Sequence, residues 1–415
     1  MILKPFRGFR PKADQAAAVA SRPYDVLDSA EAAVEAAGNP VSFLRVVKPE
    51  ITLPADTDHY SPLVYAAGRD NFKALLEQGV FAQDDTDCFY IYELTMNGRS
   101  QNGIVGAAAV QDYLDGKIRK HELTRPDKEA DRKNHVRVSG MNAEPVFFAY
   151  RAVRALDERV EQIKKAPAVY DFTAVDGIRH QLWVVKDAGD QQFITDAFAA
   201  MPATYVADGH HRTAAAALVG ADLKQENPHH TGRELYNYFL AVHFPDDQLT
   251  IMDYNRVVKD LNGHTPDGLL KALDNAFQME DKGTTPWRPE HLHEFSLYLE
   301  GRWYKLTARP GTYNDADPIG VLDVTILSEQ ILAPLLGIHD LRTDKRIDFV
   351  GGMRGLGELS RRVDSGEMKA AFALYPVSMK QLMDIADSGA IMPPKTTWFE
   401  PKLRSGLVVH AFGEI

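Results

Sequence analysis

Apolar and polar positions alternate along the chain in patterns that predict interleaved helices and strands. Apolar residues three or four positions apart predict amphipathic helices, and short β-branched or aromatic runs predict buried strands. Helices are expected at residues 28–37, 65–78, 192–201, 213–219, 266–277, 323–336 and 379–388. Strands are expected at residues 42–47, 88–94, 104–110, 145–150, 181–185, 203–207, 238–244, 295–299, 304–306 and 370–375. This interleaving predicts a mixed α/β (α+β) fold.

The length and the order of these elements predict three regions. The chain has 415 residues, and roughly 150 residues form a typical domain, so two or three domains are expected. We find neither an internal repeat nor a low-complexity tract. The predicted division is an N-terminal α/β region at 1–103, a core at 104–260 and a C-terminal α/β region at 261–415.

Amino-acid composition and net charge limit the kinds of molecule that the protein is expected to bind. The formal net charge of −11 disfavours general nucleic-acid binding, which needs a basic surface, but leaves room for a small phosphate ligand. The single cysteine, Cys88, cannot form an intramolecular disulfide. The N-terminus lacks an apolar leader, and no stretch approaches the roughly 18 apolar residues of a membrane span. We therefore expect a cytoplasmic protein without a membrane partner.

The strongest candidate site is a turn between an apolar strand and a helix of small residues, Asp208-Gly209-His210-His211-Arg212. Asp208 is expected to cap the helix, and Gly209 permits a sharp turn. The two histidines and the arginine bring as many as three cationic donors to the first helical turn. This placement conflicts with the helix dipole, which favours negative charge there. A bound phosphate would resolve that conflict. The alternative is an ordinary capped turn with exposed basic side chains.

A second candidate is the charged stretch at residues 119–129, which contains the pair His121-Glu122 and is expected to open a helix. A carboxylate beside a phosphate site is what a kinase needs to take a proton from a substrate hydroxyl. The alternative is a solvated start of a charged helix.

A third candidate is Lys395-Thr396-Thr397, which follows Pro393-Pro394. A lysine and two hydroxyls after a rigid segment can wrap a phosphate. The segment lacks the flanking glycines of a P-loop. The alternative is a plain surface loop.

The chain resembles the domain-of-unknown-function family numbered 1015. The segments that carry the resemblance are RPYDV, SFLRVVKPE, KHELTRPDKEADR, YDFTAVDGIRHQLW, YVADGHHRTAAA, LDVTILSEQILAPLLGI and MPPKTTWFEPKLRSG, which together span essentially the whole chain. That family is in turn similar to the free-serine kinases, which share the ParB/sulfiredoxin-like fold. Those kinases carry a His-Glu pair, an Asp-Gly-His-His-Arg turn and a late Pro-Lys-Thr-Thr in the same order.

The resemblance implies a ParB/sulfiredoxin-like, nucleotide-binding core with additional N- and C-terminal α/β regions. It implies a magnesium-dependent transfer of phosphate from ADP or ATP to the hydroxyl of L-serine. Glu122 would be the base, and Asp208 would lie near the metal or the hydroxyl. The residues implied to hold the nucleotide phosphates are Gly209, His210, His211, Arg212 and Thr213. The residues implied to bind the substrate are His121, Lys395, Thr396 and Thr397, the last three closing over the site from the C-terminal region.

The chain departs from the kinases at Trp398-Phe399, where they have Arg-His, and in the longer spacing between the His-Glu pair and the turn. Sulfiredoxin chemistry is excluded because it needs a cysteine where His210 stands. Two alternatives stay open from the sequence. One is a nucleotide-binding regulator linked to serine metabolism, and the other is a metal-dependent hydrolase with His121, His210 and His211 as ligands. The acceptor, the donor and the oligomeric state also stay open.

Overall fold

A computed structural model describes residues 1–413 and confirms the mixed α/β fold. The chain forms two compact units. The first comprises Met1–Leu249 and the C-terminal segment that begins at Pro401, and the second is Thr250–Glu400. This division differs from the three predicted regions, since the expected boundary at residue 103 falls inside one continuous strand, Arg99–Ala109. The C-terminal segment returns to the first unit because backbone hydrogen bonds join Phe9 to Val409 and Ser21 to Ser405.

The first unit is built on a mixed sheet flanked by helices. Its strands are Leu3–Lys4 (β1), Phe9–Pro11 (β2), Phe81–Gln83 (β3), Phe89–Met96 (β4), Arg99–Ala109 (β5), Ile118–Arg119 (β6), Met141–Asn142 (β7), Val146–Tyr150 (β8), Tyr170–Thr173 (β9), Arg179–Val185 (β10), Thr204–Asp208 (β11) and Tyr238–Pro245 (β12). Its α-helices are Ala16–Val19 (α1), Ser29–Glu35 (α2), Leu44–Val47 (α3), Pro62–Glu77 (α4), Val110–Leu114 (α5), Pro126–Ser139 (α6), Arg154–Ile163 (α7), Ala188–Ala200 (α8) and His210–Glu226 (α9).

The large sheet runs in the order β6-β11-β8-β12-β5-β4-β10-β9, with β1 added beside β5. Most neighbours are antiparallel, but β11 pairs with β6, and β12 with β8, in parallel. Strands β4 and β5 are joined by a hairpin at Asn97-Gly98, a residue pair typical of such turns, where both residues have positive φ. Phe89, Ile104 and Phe148 lie in the core of this sheet. The apolar strands are therefore buried as their sequences predicted.

The second unit is built on a six-stranded sheet of order β15-β17-β16-β19-β14-β18. Its strands are Ile251–Met252 (β13), Tyr254–Val258 (β14), Phe277–Gly283 (β15), Glu294–Leu299 (β16), Arg302–Ala308 (β17), Ile347–Gly351 (β18), Ala370–Leu374 (β19) and Trp398–Phe399 (β20). Its α-helices are Pro266–Leu273 (α10), Asp323–Leu327 (α11), Gly355–Asp364 (α12) and Met379–Ser388 (α13). The C-terminal segment of the first unit adds one further strand, His410–Ala411 (β21), which pairs with β7 of the same unit.

The segment predicted as a strand at residues 42–47 is instead the helix α3. Leu44, Val46 and Val47 are all buried in one cluster with Phe43 and Phe72. A short apolar run buried on all sides has no periodicity that separates helix from strand, so tertiary packing decides.

The helix predicted at residues 323–336 is interrupted. Helix α11 ends at Leu327, and a π-helical turn follows over Ser328–Leu332. The regular ladder is lost before Pro334, which has no backbone N–H to donate, and Ala333 bonds five residues back to Ser328. Over the described residues, no helix combines the length and the apolar character needed to cross a membrane.

Candidate functional site

The parallel pairing of β6 with β11 brings two of the predicted motifs together. In this register Ile118 faces Thr204 and Arg119 faces Tyr205. The carboxyl ends of parallel strands meet at the same edge of a sheet. The chain that leaves β6 therefore carries His121 and Glu122 to the edge where β11 delivers Asp208 and the start of α9.

His121-Glu122 lies in the loop after β6 and does not open a helix, contrary to the sequence prediction. Helix α6 begins at Pro126, with Arg125 in an extended conformation before it. A residue before proline is disfavoured in the helical region, and proline is favoured in the first helical turn. These preferences keep Glu122 off the helix, in the loop that faces β11.

Gly209 occupies the cap position of α9 with φ 88° and ψ 36°, and no side chain caps the helix. Asp208 was expected in that role, but its Oδ1 accepts only the Gly209 N–H, at 2.8 Å. The N–H groups of the first helical turn have no partner within the helix. The N-terminus of α9 therefore keeps its capacity to bind an anion.

Asp208 is paired with Lys402, a contact that the sequence did not predict. The Lys402 Nζ donates to Asp208 Oδ2 at 2.8 Å. Burial alone would raise the pKa of Asp208, but Lys402 and Arg212 outweigh it and lower this pKa. Asp208 is therefore an anion whose two oxygens are already bonded. The only sequence signal for Lys402 was its place in the MPPKTTWFEPKLRSG segment.

The histidines of the site are neutral, which corrects the expectation of a strongly cationic turn. Burial lowers the pKa of His121 to about 4. Burial, and then repulsion by His121, lowers the pKa of His210 well below its usual range. Burial also lowers the pKa of His211, whose Nε2 accepts the Arg125 N–H at 3.0 Å. Desolvation thus removes most of the positive charge that conflicted with the dipole of α9.

The remaining polar side chains of the turn face inward. The Arg212 guanidinium is buried and donates to the Pro145 carbonyl at 2.6 Å, and it pairs with Asp25 at 3.5 Å. Asp25 belongs to the RPYDV segment, so that segment supports the turn. The Thr213 hydroxyl donates to the Gly209 carbonyl at 2.9 Å. A phosphate at this turn would thus contact backbone N–H groups before either side chain.

We expect Gly209→Ala to destabilise the protein more than a comparable glycine change elsewhere. An added Cβ would lie 3.2 Å from the Arg212 guanidinium, which is held by its own partners. The left-handed conformation costs about 1–2 kcal/mol for an L-residue, and the steric contact adds about 1–3 kcal/mol. Gly232→Ala is the control, because Gly232 has φ 85° and open space around it. Urea unfolding at neutral pH measures both, and equal losses would contradict the contact with Arg212.

A compact group of metal-binding side chains forms at this edge. His121, Glu122 and His210 each offer one ligand atom, and the three atoms lie within 4.8 Å of one another. The rings of His121 and His210 meet edge to face, with centroids 4.6 Å apart. The metal-ligand set considered from the sequence contained His211 in place of Glu122. His211 instead accepts a hydrogen bond from the start of α6, as described above.

The predicted Lys395-Thr396-Thr397 segment belongs to the second unit. Lys395 is exposed and has φ 60°, a conformation that is rare for residues other than glycine. The Thr396 hydroxyl donates to the Pro393 carbonyl at 2.6 Å. Of these three side chains, the Lys395 amine is the exposed one, and it lies 5.7 Å from the centre of the Tyr254 ring.

Arg256 on β14 holds this segment, and the sequence did not point to it. Its guanidinium is buried and donates to the Lys395 carbonyl at 2.9 Å and to the Tyr254 carbonyl. Burial lowers the pKa of Arg256 to about 10. Burying a cation is costly unless hydrogen bonds compensate it, and here backbone carbonyls accept them from Arg256. Arg256 thus fixes the backbone of Lys395.

The glycine-rich segment after β18 is explained by packing. A Cβ on Gly351 would lie 2.9 Å from the Trp398 ring, and one on Gly352 would lie 2.3 Å from an oxygen of Asp253. Trp398 also packs edge to face on Tyr254, at 5.0 Å between ring centres. The aromatic pair at 398–399, where the serine kinases have Arg-His, is therefore part of the packing of the second unit.

Comparisons with known proteins add the following similarities. The family model described as "Protein of unknown function (DUF1015)" matches residues 3–325. Among solved structures, a conserved hypothetical protein from Pyrococcus furiosus is 14% identical with a TM-score of 0.34, covering 74% of this chain and 95% of its own. A free serine kinase in complex with AMP is 12% identical with a TM-score of 0.35, covering 74% and 91%.

SbnI from Staphylococcus aureus, with a C-terminal truncation, is 11% identical with a TM-score of 0.32, covering 71% of this chain and 82% of its own. A search of curated proteins gave no match. At these identities and TM-scores, the case for a function rests on the residues of this chain.

Proposed function

This chain belongs to the DUF1015 family, and from that premise we propose that it is a small-molecule kinase. The reaction would transfer a phosphoryl group from ADP or ATP to the hydroxyl of free L-serine, or of a similar small alcohol, and give O-phosphoserine. The observation that carries the proposal is the position of Glu122 within 4.8 Å of a ring nitrogen of His210, the first residue of α9. A carboxylate and an uncapped helix N-terminus thus share one edge of the sheet.

The chemistry assigns a different task to each group. The Glu122 carboxylate accepts the proton of the serine hydroxyl as the hydroxyl oxygen forms a bond to phosphorus. The bond from that phosphorus to the bridging oxygen of the nucleotide breaks, and the oxygen leaves with the electron pair on AMP or ADP. The N–H groups at the start of α9 stabilise charge on the transferred phosphoryl group.

Asp208 is poorly suited to be the base. Both of its oxygens accept hydrogen bonds, one from Gly209 and one from Lys402, and its pKa is lowered by Lys402 and Arg212 despite burial. A carboxylate of low pKa is a weak proton acceptor. We therefore assign Asp208 to hold Lys402 and the turn, and assign the proton transfer to Glu122 alone.

Magnesium would neutralise the phosphates when bound. It prefers oxygen ligands and keeps several waters, so the nucleotide phosphates would supply much of its coordination. The substrate-binding role that the resemblance implies for Lys395, Thr396 and Thr397 stays a prediction.

The test is an assay of the full-length protein with L-serine, Mg²⁺ and either ADP or ATP, followed by mass spectrometry of O-phosphoserine. We expect product with at least one donor, together with equimolar AMP or ADP. D-serine, which presents the hydroxyl in a different position because its configuration is inverted, is one control. L-alanine, which has no hydroxyl, is the other. Nucleotide binding by calorimetry without turnover of any small alcohol would contradict the kinase and favour the nucleotide-binding regulator.

A further inference from the structure

The group formed by His121, Glu122 and His210 has a donor set that phosphoryl transfer does not require. Two imidazole nitrogens and one carboxylate oxygen lie within 4.8 Å of one another. Magnesium and calcium take oxygen ligands, whereas imidazole suits zinc, iron, cobalt and nickel. Two imidazoles beside a carboxylate therefore fit a transition metal better than the Mg²⁺ that accompanies a nucleotide.

His210 in particular is placed as a metal ligand would be. Its residue is 9% exposed, and its Nε2 has no hydrogen-bond partner within the described part of the chain. A buried polar atom without a partner costs about 1–3 kcal/mol.

His121 has the orientation that metal-binding histidines usually have. One ring nitrogen is hydrogen-bonded to the backbone of Val206 on β11. Such a bond to a backbone carbonyl fixes the tautomer and aims the lone pair of the other nitrogen.

We propose that His121, Glu122 and His210 bind a divalent transition metal ion of the zinc and cobalt class. Ligand atoms around such an ion are roughly 3.4 Å apart, given metal–ligand distances of about 2.0–2.1 Å. Binding requires the three atoms, which lie within 4.8 Å of one another, to draw closer, and Glu122 is the least buried of the three residues. Three protein ligands leave a coordination position for water or for a phosphate oxygen.

Metal binding by this group goes beyond the proposed kinase reaction and can be measured without turnover. A bound metal would nevertheless affect turnover. An oxygen of Glu122 bound to the metal is a weaker base, so the loaded protein is expected to transfer phosphate more slowly than the metal-free protein with Mg²⁺-nucleotide.

The test is a titration of the full-length, chelator-treated protein with Co²⁺, followed by visible absorption and by calorimetry. We expect one ion per chain, with absorption bands of a low-coordinate Co²⁺ site, and no displacement by excess Mg²⁺. Glu122→Gln and His210→Gln are each expected to weaken Co²⁺ binding at least about tenfold, because even changes beyond the ligands cost 10- to 100-fold. His229→Gln is the control, since His229 is an exposed loop histidine, and its affinity should equal that of the unaltered protein.

Circular dichroism identifies a variant that fails to fold. If His210→Gln is such a variant, Glu122→Gln decides, because Glu122 lies in a loop and is half-exposed. The proposal is overturned if Co²⁺ does not bind, if both variants bind it as tightly as the unaltered protein, or if Mg²⁺ displaces it at comparable concentrations. A protein that binds Co²⁺ but never phosphorylates serine would leave the metal site standing and remove the kinase.

Discussion

Glu122→Gln is expected to lower the kcat for O-phosphoserine formation by at least about 100-fold, since a general base contributes typically 10²- to 10⁴-fold. Glutamine keeps the length and shape of the side chain but cannot accept the hydroxyl proton. The KM for the nucleotide should change little, because the phosphates are expected to contact the backbone at the start of α9. The measurement is steady-state kinetics of the full-length protein with Mg²⁺ and saturating nucleotide.

Asp127→Asn is the matched control for this change. Asp127 lies five residues further along, is exposed, and pairs with Arg125 at 2.9 Å. It shares the acidic character of the segment but is outside the group formed by Glu122, His121 and His210. We expect near-normal kcat in this variant. Normal kcat in Glu122→Gln would show that this carboxylate is not the base, whereas equal losses in both variants would point to a general effect of charge.

The turn at Asp208–Arg212 could be located from the sequence because its signals are local. An apolar strand, a glycine and a run of alanines follow one another within a few residues, and each has a direct conformational meaning. The structure has β11, the left-handed Gly209 and α9 in that order. The Asn97-Gly98 pair in the hairpin between β4 and β5 is a local signal of the same kind.

The features that the sequence could not predict are contacts between distant segments and properties that depend on burial. Lys402 reaches Asp208 across 194 positions of the chain. The pairing of β6 with β11 joins Ile118 to Thr204, which are 204 − 118 = 86 positions apart. Neither contact leaves a periodic signal in one sequence. The charge of the turn was misjudged for a related reason, since the protonation of His210 follows from burial, which only the folded chain reveals.

The first unit is expected to lose stability steeply as the pH falls from about 6.5 to 4. Besides His210, it contains five buried histidines whose pKa values burial lowers to about 3 or 4: His121, His135, His180, His243 and His410. In the unfolded chain a histidine has a pKa near 6.5. Between these values the unfolded chain binds protons that the folded chain does not, so the free energy of unfolding decreases with decreasing pH.

The size of the effect follows from the shifts. A group whose pKa falls from 6.5 to about 4 accounts for about 3 kcal/mol when the pH is below both values, at 1.36 kcal/mol per pKa unit. At pH 5 each of the five contributes about 2 kcal/mol of that loss, and their sum is comparable with the whole stability of a typical domain, about 5–15 kcal/mol. Cooperative unfolding is therefore expected in mild acid.

A single substitution tests whether buried histidines cause this loss. His243 lies on β12 between the rings of Phe148 and Phe198, so His243→Met places an apolar side chain of similar size there and removes one titrating group. The dependence of the unfolding free energy on pH, measured by urea unfolding between pH 5 and 6.5, gives the number of protons taken up on unfolding. We expect this number to fall by nearly one in His243→Met. His229→Gln, on an exposed loop, should leave the slope unchanged. If both variants keep the full slope, acid destabilisation arises from groups other than His243, and the assignment to buried neutral histidines loses its support.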